Sequence, residues 1–229
     1  MKQPGKHSVE VVSERTWAAR GADVLASAIS ASVQHRGRCV LALSGGTTPA
    51  PVFHELGGRN LAWEKVVITQ VDERLVSVDS TERNLSGQRR AFAGVPVSWL
   101  PLPADSPSGS DIDEALADLA AVAGIPPVLD VVHLGLGSDG HTASLVPGDP
   151  VLGESKQDLA LTSEYHGSRR ITFTRPALDR ARLIVWLVKG ADKAEALRAL
   201  VDNDSSIPAG LLSPRRSIVI ADEDAAALL

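Results

Sequence analysis

Hydrophobic and polar positions along the 229-residue chain alternate between short apolar runs and longer segments with helical spacing. From residue 14 to 35, apolar side chains recur every three or four positions, which predicts a long amphipathic helix. The run RCVLAL at 38–43 is apolar on both faces, as in a central strand of a parallel sheet. Further strands are predicted at HSVEVV, KVVITQVDER, 130–134, ARLIVWLVKG and RRSIVIAD, with weaker signals at 159–164 and 170–174. Further helices are predicted at APVFHEL, TERNLSGQRRAF, SDIDEALADLAAVAG, ADKAEALRALV and, as a final turn or two, EDAAALL.

Strands that alternate with helices predict an α/β fold, with a mostly parallel sheet covered by helices on both faces. The helix near residue 110 has a capping-box pattern at Ser110 and Asp113 and a stop signal at Gly124. The stretch WLPLPADSPSGSD is expected to be a loop within the fold. Ligands bind such sheets at the carboxyl ends of the strands. Three polar loops leave apolar strands at that edge, namely SGGTTP, DERLV and GSDGHTAS.

Composition narrows the class of protein. The net charge of −5 argues against a nucleic-acid-binding protein, because such proteins are usually basic. Cys39 is the single cysteine, which excludes an internal disulfide, and its apolar neighbours predict burial. No apolar run reaches the roughly 18 residues of a membrane span, and the amino terminus lacks a signal-peptide core, so we expect a cytoplasmic protein. The spacing of histidine and acidic residues predicts no metal site.

The loop SGGTTP connects a buried strand to a predicted helix. Two glycines, Gly45 and Gly46, let a ligand approach the backbone, and free N–H groups at a helix start favour an anion. The hydroxyls of Ser44, Thr47 and Thr48 add hydrogen-bonding groups. The loop is not a nucleotide-binding P-loop, because no Gly-Lys-Ser/Thr follows. It therefore predicts a phosphate site; the alternative is a turn that only caps the helix, with Thr48 as the cap.

Charged residues at other strand ends offer partners for a phosphate. Asp72 and Arg74 follow the strand VVITQ directly, and a guanidinium matches phosphate geometry. Arg170 begins a predicted strand, and Lys193 lies early in a predicted helix. The alternative to a phosphate site at Asp72 and Arg74 is an exposed turn with an ion pair. For Arg170 and Lys193 it is a solvated strand end and an ordinary surface lysine.

The loop LGLGSDGHTAS contains a G-x-G-x-x-G pattern, which is typical of dinucleotide-binding loops when a regular helix follows. Asp139 would set a carboxylate against a pyrophosphate, where like charges repel. Prolines and glycines also interrupt the expected helix, at Pro147, Gly148, Pro150 and Gly153. These features argue against a dinucleotide, and hence against a cofactor.

The same loop has the residues of an acid–base site. Asp139 and His141 are two positions apart, followed by Thr142 and Ser144 at an expected helix start. An imidazole accepts a proton near neutral pH, and a nearby carboxylate orients it and stabilises its charged form. The alternative is that His141 only caps the helix. His133, in the middle of a strand, is interpreted as a core histidine.

Together, LALSGGTTP, VDER followed by Asn84, and LGLGSDGHTASLVPG resemble the 6-phosphogluconolactonase family, from about residue 10 to 220. The resemblance implies one domain over residues 1–229 with a Rossmann-like α/β fold, related to that of glucosamine-6-phosphate deaminase. It also implies hydrolysis of 6-phospho-D-glucono-1,5-lactone to 6-phosphogluconate in the oxidative pentose phosphate pathway, without metal or cofactor.

The resemblance also implies residue roles. His141 would be the general base that activates water, Asp139 would orient it, and Asp72 would shape the site. Arg74 would contact the substrate. The phosphate would be held by the loop Ser44–Thr48 together with Arg170 and Lys193.

Three positions depart from the family pattern: Val76-Ser77 replaces a common proline, Arg83 a serine, and Val146 an aromatic residue. The first two fall in a loop that we expect near the sugar. The related amino-sugar phosphate deaminases carry a glutamate in the context HIAFNEP, where this chain has HTASLVP, with Val146 near that place. A deaminase/isomerase and a non-catalytic sugar-phosphate binding module remain the alternatives.

Overall fold

A seven-stranded, all-parallel sheet runs through the computed structural model, which describes residues 6–229. In chain order the strands are β1 (Ser8–Val12), β2 (Cys39–Leu43), β3 (Val66–Gln70), β4 (Asp72–Arg74), β5 (Ser98–Trp99), β6 (Val131–Leu134), β7 (Leu159–Leu161), β8 (Arg170–Phe173), β9 (Ile184–Val188) and β10 (Ser217–Asp222). The large sheet has the order β1-β10-β9-β6-β2-β3-β5, and a small antiparallel sheet has the order β4-β8-β7. The predicted parallel sheet is confirmed.

Helices cover both faces of the large sheet, as predicted. They are α1 (Glu14–Arg36), α2 (Ala50–Gly57), α3 (Asn84–Ala91), α4 (Gly109–Ala123), α5 (Arg175–Asp179) and α6 (Ala194–Val201). On one face, Trp17 and Leu25 of α1 pack with Phe53 of α2 in a continuous apolar core. On the other, Leu119 of α4 and Leu197 of α6 belong to a second core. Removing these apolar surfaces from water on both faces stabilises the sheet between its helical layers.

The segment KVVITQVDER forms two strands in different sheets, and the prediction of one strand was wrong. The backbone changes sheets at Val71, whose N–H donates to Leu43 O (3.0 Å) in the large sheet. Its carbonyl accepts from Phe173 N (2.8 Å) in the small sheet. Because each sheet satisfies one polar group of Val71, the chain changes direction without leaving a buried group unpaired.

Three predicted helices also differ from the structure. The capping box of α4 consists of Ser108 and Asp111 rather than Ser110 and Asp113, because a helix that begins earlier gains further backbone hydrogen bonds. Helix α3 begins at Asn84, three residues later than predicted. The final EDAAALL is a series of turns, with Asp222 at the end of β10 capping the first of them through Ala225 N (2.9 Å).

The neighbours β2 and β6 lie at the point where the chain order of the large sheet reverses. From β2 the chain continues to β3 on one side, whereas β6 pairs with β9 on the other. A crevice forms at the carboxyl ends of strands at such a point. SGGTTP follows β2 and GSDGHTAS follows β6, so the fold brings these loops to one place. Among residues 6–229, no helix combines the length and apolarity needed to cross a bilayer.

Candidate active site

A cleft of about 300 Å³ opens at this crevice. Nine residues singled out from the sequence line it: Ser44, Gly45, Gly46, Thr48 and Asp72, together with Arg74, His141, Arg170 and Lys193. Thr47 faces an adjoining cavity instead, and Asp139 lies behind His141.

His141 and Asp139 form a hydrogen-bonded pair. The imidazole Nδ1 lies 2.5 Å from Asp139 Oδ1, and the same oxygen accepts from His141 N (3.1 Å). His141 lines the cleft, and its other ring nitrogen, Nε2, has no hydrogen-bond partner within residues 6–229. Partial burial favours protonated Asp139, but the hydrogen bonds from His141 and Tyr165 outweigh it and hold the pKa of Asp139 below its ordinary value. Asp139 is therefore a carboxylate that orients the ring.

The loop around this pair is a series of tight turns, so the predicted helix start at Thr142 and Ser144 was wrong. Thr142 Oγ1 donates to Gly135 O (2.9 Å), and Ser144 N donates to Thr172 Oγ1 (3.3 Å). Such hydroxyl bonds to nearby backbone compete with a helix. A Cβ at Gly137 would lie 2.1 Å from His141 Nδ1, so glycine is required there for the pair to pack against the loop.

Asp72 connects three parts of the site from a buried position. Its Oδ2 accepts from Ser144 Oγ (2.5 Å) and its Oδ1 from Asn84 Nδ2 (3.1 Å). Burial raises the pKa of Asp72, whereas the bond from Ser144 and the charge of Arg170 act in the opposite direction. Both carboxylate oxygens accept hydrogen bonds, so Asp72 holds β4, α3 and the His141 loop in register.

Glu73 anchors the amino terminus of α3, a role that the sequence reasoning missed. The carboxylate accepts from Asn84 N (2.7 Å) and Leu85 N (3.0 Å), which replaces the side-chain cap that Arg83 does not supply. Burial raises the pKa of Glu73, although these donors favour its charged form. Arg83 Nε lies 3.4 Å from Glu73 Oε2.

The three departures from the family pattern lie outside the cleft. Arg83 is buried beside Glu73, and Val146 is buried in the core. Val76 and Ser77 follow β4 and are not among the residues that line the cleft. The loop turns away because Leu75 N bonds to Arg169 O (3.0 Å) in the small sheet.

Arg74 and Arg170 line the cleft from the small sheet. They are direct partners in the antiparallel pair β4–β8. Arg170 is buried, and burial lowers its pKa while the charge of Asp72 raises it. The only carboxylate within 4.0 Å of either guanidinium among residues 6–229 is Glu82, at 3.9 Å from Arg74. Like charges opposite each other are unfavourable, so this pair favours an anion between them.

The SGGTTP loop presents backbone donors to the same space. Among residues 6–229, no protein acceptor is found for the N–H groups of Gly45, Gly46, Thr47 and Thr48. Gly45 is in contact with Asn84, since a Cβ there would lie 1.8 Å from Asn84 Oδ1, and Gly46 has a φ of +98°. The alternative in which Thr48 caps α2 was wrong, because Pro49 occupies that position without a side-chain bond. These free donors are typical of an anion site.

Two lysines complete the cationic lining. Lys193 Nζ is 2.9 Å from Asp192, and Lys189 Nζ is 3.0 Å from Glu14 and 5.9 Å from the ring centre of Trp17. Lys189 was missed from the sequence, although its place at the end of β9 was a signal for it.

His133 is a core residue, as predicted. It is fully buried, accepts a hydrogen bond from Ser44 N (3.3 Å) through Nδ1, and packs edge-on against Phe53. Burial lowers its pKa to about 3, so the ring is neutral at physiological pH. Ser44 Oγ also donates to His133 O (3.1 Å), which holds the SGGTTP loop to β6.

Together, the open parallel sheet, the His141–Asp139 pair and the facing cations are the features of an α/β protein whose cleft suits a small anion. Residues 13–221 match the family described as glucosamine-6-phosphate isomerases/6-phosphogluconolactonase, and the chain belongs to that family.

Individual relatives agree with this assignment. The chain is 36% identical over 203 residues to a 6-phosphogluconolactonase of Synechocystis, an alignment that covers 83% of this chain and 84% of the relative. A solved 6-phosphogluconolactonase from Shewanella baltica superposes with a TM-score of 0.82 at 25% identity, covering 95% of this chain and 99% of that one. A monomeric glucosamine-6-phosphate deaminase superposes with a TM-score of 0.81 at 18% identity, covering 97% and 100%, which shows that the fold is common to both activities.

Among residues 6–229, no three His, Cys, Asp or Glu side chains are grouped as metal ligands.

Proposed function

We propose that this chain hydrolyses 6-phospho-D-glucono-1,5-lactone to 6-phospho-D-gluconate, the lactonase step of the oxidative pentose phosphate pathway, with His141 as general base. The observation that carries the proposal is the imidazole of His141, held by Asp139 on one nitrogen and facing the cationic cleft with the other. The relatives named 6-phosphogluconolactonase support the reaction.

The reaction needs one base and one water. Nε2 of His141 takes a proton from water as the water oxygen attacks the lactone carbonyl carbon, which gives a tetrahedral intermediate. The bond from that carbon to the ring oxygen then breaks, and the imidazolium returns the proton to the departing oxygen. Asp139 stabilises the imidazolium between the two transfers. The products are a carboxylic acid, ionised at neutral pH, and a hydroxyl group.

The phosphate is the remote anchor that positions the lactone. We assign it to the cations Arg74 and Arg170, to Lys193, and to the backbone donors of the Ser44–Thr48 loop. Held there, it fixes the carbonyl relative to His141, and such positioning lowers the barrier by removing translational and rotational freedom beforehand. Asp72 shapes this site through Asn84 and Ser144 rather than by touching the reacting atoms.

The alternatives are less well supported by the site. A deaminase/isomerase would need the glutamate of its HIAFNEP context, and at Val146 this chain has a buried apolar side chain. A binding module would not need an oriented imidazole with a free nitrogen in its cleft.

We propose one domain over residues 1–229, supported by the pairing of β1 with β10, which joins both ends of the chain in one sheet. We also propose a cytoplasmic location and no nucleic-acid partner, in keeping with a charged sugar-phosphate substrate and the net charge of −5.

The test follows hydrolysis of the lactone, freshly generated from glucose 6-phosphate, above its spontaneous rate with a chelator present. The wild type should accelerate it, and His141→Ala should lower kcat by about 10²- to 10⁴-fold. His54→Ala, which removes an exposed histidine on α2, is the matched control and should retain activity. Near-normal turnover by folded His141→Ala would exclude His141 as the base. No acceleration by the wild type, with ammonia released from glucosamine 6-phosphate, would favour the deaminase.

A further inference from the structure

Tyr165, the chain's single tyrosine, contacts both halves of the cleft. Its hydroxyl donates to Asp139 Oδ2 (3.2 Å), the oxygen that does not face His141. Its ring meets the imidazole of His141 edge-on, with 5.7 Å between centres. The guanidinium of Arg170 lies 5.3 Å from the centre of the same ring. One side chain therefore touches the base, its carboxylate partner and a phosphate-binding arginine.

A tight hairpin holds Tyr165 in this position. Tyr165 N bonds to Ser168 O (3.0 Å), and the two residues between them, His166 and Gly167, have φ values of +50° and +80°. Two successive positive φ values are typical of the type I′ turn, whose twist matches that of the flanking strands. Tyr165 is thus the last paired residue before the turn, and the backbone directs its ring over the cleft.

We propose that Tyr165 is a positioning residue of the hydrolytic site, which holds Asp139 against His141 and keeps the guanidinium of Arg170 in place beside the phosphate. The role rests on the proposed lactonase function and extends it to a residue that touches no reacting atom. With its second oxygen bonded to Tyr165, Asp139 cannot rotate away from the imidazole.

The electrostatic surroundings of the Tyr165 phenol determine its protonation state. Burial and the charge of Asp139 raise the pKa of Tyr165, so the phenol remains a hydrogen-bond donor. This donor draws negative charge away from His141. Without it, Asp139 Oδ2 loses the partner that fixes the carboxylate against His141. The other charged or titratable side chains around Tyr165, Asp139 and His141 are Asp72, Arg74, Arg170 and His166.

The kinetic test separates the hydroxyl from the ring. Tyr165→Phe should lower kcat about fivefold, the worth of one hydrogen bond, with KM within twofold of the wild type. Tyr165→Ala should in addition raise KM, because Arg170 loses the ring beside it. A Tyr165→Phe variant with wild-type kcat would overturn the proposal.

A second test needs no turnover. Because Tyr165 is the single tyrosine, the near-ultraviolet absorbance of tyrosinate reports its ionisation alone. The phenol should ionise at lower pH in Asp139→Asn than in the wild type. Glu164→Gln is the matched control, since its exposed carboxylate has no hydrogen bond to Tyr165 within residues 6–229, and it should leave the titration unchanged. Equal titrations of Asp139→Asn and wild type would overturn the contact, even if the chain had no lactonase activity.

Discussion

Arg74 and Arg170 are paired directly across the two antiparallel strands β4 and β8, with both guanidinium groups at the cleft. This arrangement places two positive charges side by side, and the nearest carboxylate within 4.0 Å among residues 6–229 is that of Glu82, at the outer limit of an ion pair. The folded protein therefore holds an electrostatic cost that a bound anion removes.

Inorganic phosphate should accordingly stabilise the protein. At about 100 times its dissociation constant, a bound ligand raises the free energy of unfolding by about 2.7 kcal/mol, which a thermal melt detects as a higher Tm. Arg74→Gln should lose most of this response and, without phosphate, should melt at or above the wild-type temperature because the repulsion is relieved. Arg215→Gln removes an exposed arginine that does not line the cleft, and this variant should keep the full response. An unchanged response of Arg74→Gln would show that phosphate binds elsewhere.

Gly137→Ala should displace the hydrogen-bonded pair of His141 and Asp139. The added Cβ would lie 2.1 Å from His141 Nδ1 and 2.5 Å from Asp139 Oδ1, so both side chains must move. A shift of about 1 Å in a reacting group costs roughly 10²-fold in rate, which steady-state kinetics on the lactone would measure. Gly135→Ala is the matched control, because nothing lies within 4 Å of a Cβ there. Equal activity of both variants would contradict the close packing of the pair.

Glu73→Gln should weaken the junction between β4 and α3. The amide replaces one of the carboxylate oxygens that accept from Asn84 N and Leu85 N, so a buried donor is left facing another donor. The expected loss in the free energy of unfolding is about 2 kcal/mol, measured by urea denaturation. Glu82→Gln, at an exposed glutamate nine residues later, should change it by less than about 0.5 kcal/mol. Equal losses in the two variants would exclude the capping role of Glu73.

His133 should make the fold sensitive to mild acid. Its pKa is about 3 in the folded chain and 6.5 when exposed, so between these values the unfolded chain binds a proton that the folded chain does not. The stability it contributes is therefore complete above pH 6.5 and is lost as the pH falls towards 3, by up to about 1.4 kcal/mol per pH unit. His133→Asn, which keeps an acceptor for Ser44 N, should show a shallower fall in urea titrations at successive pH values. The exposed His35→Asn should retain the wild-type slope, and a steep slope in His133→Asn would assign the acid sensitivity elsewhere.

The arrangement of the large sheet followed from local signals. Runs such as Cys39–Leu43 are apolar on both faces, so their burial in a parallel sheet was predictable, and with it the edge at which the polar loops meet. The change of sheet at Val71 was not predictable from periodicity, because an apolar residue suits either sheet. Tyr165 gave no signal either: it reaches Asp139 only because a hairpin of the small sheet folds over the cleft.

Local propensity also failed where side chains compete with the backbone. Thr142 and Ser144 resemble a helix start, but their hydroxyl and amide groups bond to Gly135 and to Thr172 instead. Glu73 lies in the polar stretch DERLV of the sequence, and its burial depends on α3 returning to cover it. The contacts of Ser144 with Thr172 and of Glu73 with α3 show that the finer geometry of the site is set by residues distant in sequence.

The cationic lining of the cleft has a consequence for the end of the catalytic cycle. Opening the lactone turns a neutral ester into a carboxylate, so the product carries one more negative charge than the substrate and is held more strongly by the same cations. The chain as a whole, with a net charge of −5, repels both at longer range. Added salt screens the attraction of the cleft cations for both anions. It slows capture of the substrate and speeds departure of the product, so turnover at saturating substrate should rise with ionic strength if product departure limits the rate, while kcat/KM falls.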